Sequence, residues 1–133
     1  YENKYWLFVN IVENEGASSW DELFLFYSDE LETKTWNPHP INPIISDVQK
    51  SRPAGNIFIR DGKIIRPSQD CSVRYGYGIK LNEIKTLNEN EYKEIEIDSI
   101  EPNWDDKVKG VHTFNYNHNL TVIDAIIKRR RLF

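Results

Sequence analysis

Asn56-Ile57-Phe58-Ile59-Arg60-Asp61-Gly62-Lys63-Ile64-Ile65-Arg66 is the stretch that decides the fold. Two apolar runs flank Asp61-Gly62, a dipeptide that accepts the left-handed backbone of a two-residue hairpin turn. The spacing predicts strands over Asn56–Ile59 and Lys63–Arg66, paired antiparallel. Tyr1-Glu2-Asn3-Lys4-Tyr5 aligns with the same turn, and Tyr116-Asn117-His118-Asn119-Leu120 resembles it more loosely. The turns recur every 55–60 residues or so (roughly the length of a four-stranded propeller blade). After each of the first two comes a strand, a polar stretch and another strand: Glu22–Ser28 in one unit, Tyr75–Ile84 in the next. A further strand is expected near Trp36 and at Tyr92–Ile97.

Burial patterning agrees with stacked sheets. From Tyr5 to Ile11, Tyr5, Leu7, Val9 and Ile11 share one face and Trp6, Phe8 and Asn10 the other. Leu23-Phe24-Leu25-Phe26-Tyr27 is also apolar on both faces, so each side needs a cover. Helical signals are scarce, and even Ile123–Lys128 reads as strand because it is short and β-branched. Glu15-Gly16-Ala17-Ser18-Ser19 reads as a polar hairpin loop. The fold expected is all-β, in antiparallel four-stranded blades, about ten strands in total.

In the second unit a strand precedes the Asp61-Gly62 turn, whereas the first unit starts at its turn. The chain therefore reads as an incomplete propeller of about two and a half blades, with units at about 1–45, 52–100 and 108–133. Tyr5–Ile11 is expected beside an edge that lacks its inner partner. Upstream blades or another chain would complete the sheet.

Composition narrows the function classes. Seventeen Lys and Arg against 21 Asp and Glu give a net charge of −4, which argues against a general nucleic-acid binder. The dense basic run Lys128-Arg129-Arg130-Arg131 reads as a solvated tail or strand edge. A lone cysteine, Cys71, forms no internal disulfide and reads as a small buried hydrophobe. No run approaches the ~18 consecutive apolar residues of a membrane helix. Neither a zinc signature nor a nucleotide loop is present, so no metal and no cofactor are expected, and the compartment stays open.

Two segments stand out for chemistry. Trp36-Asn37-Pro38-His39-Pro40-Ile41-Asn42-Pro43 reads as a stiff linker with Trp36 tucked beneath it. Ser51-Arg52-Pro53-Ala54-Gly55 is paired with Arg66-Pro67-Ser68-Gln69-Asp70-Cys71 and then Tyr75-Gly76. Arg52 opens a strand, where a guanidinium fork can hold hydroxyls, carboxylates or phosphate, and Gln69 or Asp70 is placed to orient it. The rival reading is a structural Arg52–Asp70 pair. His112, in Gly110-Val111-His112-Thr113, opens the third unit at an analogous place. Arg52, Gln69, Asp70 and His112 are thus the candidate binding residues, and His39 and His118 sit in loop contexts.

These residues, taken together, resemble a known group. Tyr5-Trp6-Leu7-Phe8, Trp36…His39-Pro40…Asn42-Pro43, Arg52-Pro53-Ala54-Gly55, Arg66-Pro67…Gln69-Asp70-Cys71…Tyr75-Gly76 and His112-Thr113 look like the N-terminal propeller domain of glucosamine inositolphosphorylceramide transferases. That domain is similar in turn to the five-bladed propellers of arabinanases, β-xylosidases and levansucrases. The resemblance implies a central pocket for a saccharide, reached by the later, C-terminal blades alone. The Ala-Asp-Pro-Phe-like and Pro-Glu-Ser-like segments that would carry glycosidase carboxylates are not found, so no catalytic residue is assigned. The parent protein would be glycosidase-like or transferase-associated; the alternative is a non-catalytic β scaffold that binds a protein.

Overall fold

Thirteen β-strands and no helix make up residues 1–129, which the computed structural model of the chain describes. They are β1 (Tyr5–Val9), β2 (Glu22–Ser28), β3 (Asn37–Pro38), β4 (Ile45–Ser46), β5 (Arg52–Pro53), β6 (Phe58–Arg60), β7 (Lys63–Asp70), β8 (Gly78–Leu87), β9 (Tyr92–Ile100), β10 (Val108–Gly110), β11 (Phe114–Asn117), β12 (Leu120–Ile123) and β13 (Ile126–Ile127). Two residues of the basic run, Arg130 and Arg131, lie outside the described range.

The expected hairpins are present. Asp61 and Gly62 have φ of 52° and 74°, and Phe58, Ile59 and Arg60 pair with Ile65, Ile64 and Lys63. Glu2 and Asn3 repeat that left-handed pair at 49° and 59°. His118, at 31°, begins the loop that joins β11 to β12. Among the described residues all strand pairs are antiparallel, and no sheet closes on itself.

The described strands form four sheets. In the first unit expected from the sequence one runs β1-β2-β3, with β4 also on β2; in the second one runs β5-β7-β8-β9, with β6 also on β7. The third holds two short ladders, β10-β13 and β11-β12. Strands outnumber the expected ten because inner strands break. Between β5 and β6 the Ala54 amide still bonds Pro67 O, but the Ala54 carbonyl turns to accept the Phe114 amide at 2.8 Å. Between β12 and β13, Asp124 leaves the ladder to bond backbone amides of His112 and Thr113.

Apolar layers join the sheets face to face. Leu23, Leu25 and Ile45 of the first meet Ile84, Leu87 and Tyr92 of the second, with Trp6 and Phe8 at the margin. On its other face the second sheet packs Phe58, Ile65, Ile79 and Leu81 against Val111 and Phe114. Lys4 reinforces the first junction, bonding Asp29 at 2.7 Å and Glu89 at 2.6 Å. The proline segment after Trp36 is more than a linker: Asn42 exchanges two 2.8 Å bonds with the Leu25 backbone. His39 within it is buried, its Nε2 3.0 Å from Asn88 O.

Among the described strands, β1 stands at the end of its sheet, paired only with β2. It stops at Val9, and the next residue, Asn10, donates from its side-chain Nδ2 to Glu22 O and Ser51 O.

Candidate functional site

Arg52 sits on β5 and His112 in the β10–β11 connection, and the second-to-third-unit junction brings them to one aromatic ring. The Arg52 guanidinium lies 4.9 Å from the centroid of Tyr75, and the His112 imidazole meets the same ring edge-on at 6.0 Å. Trp20 completes the cluster, its ring 5.4 Å from Tyr75. Tyr75 stays 42% exposed, so an aromatic surface is open to solvent between a cation and an imidazole.

Local backbone makes this approach feasible. Gly76 has φ of 65°, and a Cβ there would stand 2.8 Å from His112 Cβ. A side chain at that position would push the imidazole off Tyr75. The third unit is tied down beside it by the bond from the Val111 amide to Tyr77 O at 3.3 Å.

Asp124 orients His112. Its Oδ1 accepts the amides of His112 and Thr113 at 2.9 and 2.8 Å, while Oδ2 lies against His112 Nδ1. Partial burial pushes the Asp124 carboxyl up, but the two amides and the imidazole outweigh it, leaving it below the usual carboxylate range. A carboxyl held low in the folded state stabilises fully above its unfolded value, and loses that contribution as pH falls through its folded value. Asp124→Ala should therefore cost about 1 kcal/mol near neutrality, the worth of its lost hydrogen bonds. Melting temperatures of the two proteins should converge below the usual carboxylate range; a gap that widens on acidification would contradict this.

Gln69 and Asp70 do not join the cluster. Gln69 is buried; its Nε2 bonds Pro53 O at 3.4 Å, and it receives the Cys71 thiol at 3.8 Å. Asp70 accepts the amide and hydroxyl of Ser72 at 2.9 and 2.6 Å. Neither of the expected Arg52 partnerships is seen, and the Arg52–Asp70 structural pair is also not formed. The reason is local: Asp70 closes its own turn, and Arg52 reaches Ser19 instead, with long 3.4 and 3.5 Å contacts from Nη1. Burial pushes the Cys71 thiol up, in keeping with an inert core cysteine.

Sequence reasoning passed over Trp20 and Asp124. Trp20 follows a polar loop and carries no periodic signal. Asp124 had one: an acid interrupting a β-branched run at the end of a hairpin. Among the described residues no group of three His, Cys, Asp or Glu is placed to hold a metal ion. No helix there is long and apolar enough to cross a membrane.

Comparison with known proteins adds the family. Residues 1–126 match the model described as "Glucosamine inositolphosphorylceramide transferase 1, N-terminal". Glucosamine inositolphosphorylceramide transferase 1 of Oryza sativa subsp. japonica is 35% identical over 99 residues. Its counterpart from Arabidopsis thaliana is 34% identical over the same length. Each alignment takes in 73% of this chain and only 13% of the relative. No solved structure matches the chain.

Proposed function

This chain belongs to the glucosamine inositolphosphorylceramide transferase 1 N-terminal family, and from that premise we propose that it is the carbohydrate-binding part of a transferase-associated β-propeller. Its units, about 1–45, 52–100 and 108–133, are later blades of a five-bladed ring that more polypeptide completes. Hairpin turns at equivalent places and sheets packed face to face support that architecture. The ligand is a saccharide, and this chain holds it rather than cleaving it.

The observation that carries the reading is the meeting of Arg52 and His112 on the exposed Tyr75 ring, beside Trp20. Sugar rings stack their C–H faces on aromatics, and a guanidinium with long, weak protein contacts can exchange them for ligand oxygens. Gln69 and Asp70 act at one remove, Gln69 by holding Pro53 beside Arg52 and Asp70 by closing the Ser72 turn ahead of Tyr75. The test is a titration with glucosamine, myo-inositol and short glycans, read from the Trp20 indole and Tyr75 ring signals. Arg52→Ala should weaken binding at least about tenfold, some 1.4 kcal/mol. Its melting temperature should move by less than about 2 °C, because Arg52 is only half-buried and its contacts are weak. Binding unchanged in Arg52→Ala, or absent with every sugar in the wild type, would overturn the reading.

A protein-binding scaffold is favoured by a different observation, the exposure of Leu120, Val122 and Ile127 on the third unit. It would leave partner affinity untouched by Arg52→Ala.

A further inference from the structure

We propose that the free edge of β1 receives one more antiparallel strand, supplied by the same polypeptide and entering through Tyr1. The turn at Tyr1–Lys4 carries the first argument. Lys4 N donates to Tyr1 O at 3.1 Å and Tyr1 N to Lys4 O at 2.9 Å, with Glu2 and Asn3 both left-handed. The Arg60–Lys63 turn has the same left-handed pair, and there a strand flanks it on either side. A pair bonded in both directions at Tyr1 and Lys4 is the first rung of a ladder. By alternation along the strand, the N–H and C=O of Trp6 and Phe8 point away from β2, where no described strand lies.

The space along that edge has the shape of a strand. Three hollows follow one another from Tyr1 to Arg52, adjoining ones sharing Phe8. Their walls are Trp6 and Phe8 on one side and Pro53, Ile57 and Arg66 on the other. Arg66 also lines the middle hollow. The second residue ahead of Tyr1 would stand opposite Trp6, so an apolar side chain is required there. Phe58 does this in the second unit, opposite Ile65.

The inference rests on the blade reading of the fold, and it is testable with residues already in hand. A copy of Ser51–Ile59 fused ahead of Tyr1 places its phenylalanine opposite Trp6. Amide exchange at Trp6 and Phe8 should then slow at least about 100-fold, in a protein that stays monomeric. The same copy carrying Phe58→Asp sets a charge against Trp6 instead and should give no such protection. Should the fusion fold poorly, synthetic Ser51–Ile59 peptide added to the unmodified chain must give the same protection. Free exchange at Trp6 and Phe8 in both formats would overturn the proposal. So would concentration-dependent dimers that already protect these amides in the unmodified chain, since a second copy would then be the occupant. Strand docking without sugar binding at Tyr75 would refute only the carbohydrate reading; sugar binding without strand docking would refute only this one.

Discussion

Glu94→Ala should destabilise the fold by about 3–5 kcal/mol, because it strands a buried guanidinium. The Arg66 side chain is 1% exposed and that of Glu94 7%. Arg66 Nε and Nη2 donate to the two Glu94 oxygens at 2.8 and 2.7 Å, and Nη2 also reaches Lys50 O at 2.8 Å. Tyr92 OH adds a bond to Glu94 Oε2. Burial pushes the Tyr92 phenol well above its ordinary value, so it remains a donor throughout the accessible pH range. Removing Glu94 leaves the cation with one carbonyl and takes away the Tyr92 acceptor at the same time. Net stabilities of domains are only about 5–15 kcal/mol, so the loss is a large fraction of the total. Urea unfolding should show a lowered midpoint with an unchanged slope. The triple change Arg66→Met, Glu94→Leu and Tyr92→Phe should recover most of the loss, because it leaves neither the cation nor the hydroxyl buried without a partner. A single-mutant cost below about 1 kcal/mol would mean that water reaches the pair.

Gly55→Ala is expected to have the next largest effect, about 3 kcal/mol, and to act by prying the third unit from the second. A Cβ on Gly55 would overlap the Phe114 carbonyl oxygen, a backbone atom that cannot rotate away. The Phe114 amide is bonded to Ala54 O one residue earlier, so relief requires breaking that bond and lifting Phe114 from Phe58. Gly62→Ala is the control. There a Cβ meets nothing within 4 Å, and only the φ of 74° opposes it, a cost of about 1–2 kcal/mol. Amide exchange should speed up at Phe114 and Val111 in Gly55→Ala, and stay unchanged at those amides in Gly62→Ala. Equal costs for the two substitutions would show that the Gly55 approach can relax.

The hairpins were legible because their chemistry is local. Asp61-Gly62 combines residues that accept positive φ with flanking apolar runs, Glu2-Asn3 aligns with it, and both turns formed. Family membership was legible in the resemblance that the Arg52, Gln69 and His112 segments carry, and the family model matches residues 1–126. The partner of Arg52 was not. Asp70 lies close in the ladder, but Ser72 captures its carboxylate two residues away, and short-range capture outcompetes a longer reach. The role of Asp124 was hidden by its neighbours, which read as strand and do form β12 and β13 on either side of it.

By itself the sequence determined an all-β chain in which two-residue turns recur and both faces of the strands want cover. Period-two apolar patterning and turn dihedrals are properties of adjacent residues, and they survive in any context. Tertiary structure alone decided which residues share a site. Trp20, Arg52, Tyr75 and His112 come from separate loops and strands, and His112 reaches the Tyr75 ring because the Gly76 and Gly55 backbones let the third unit lie against the second. Close approach depends on how much volume two distant segments leave empty, and no local pattern encodes that quantity.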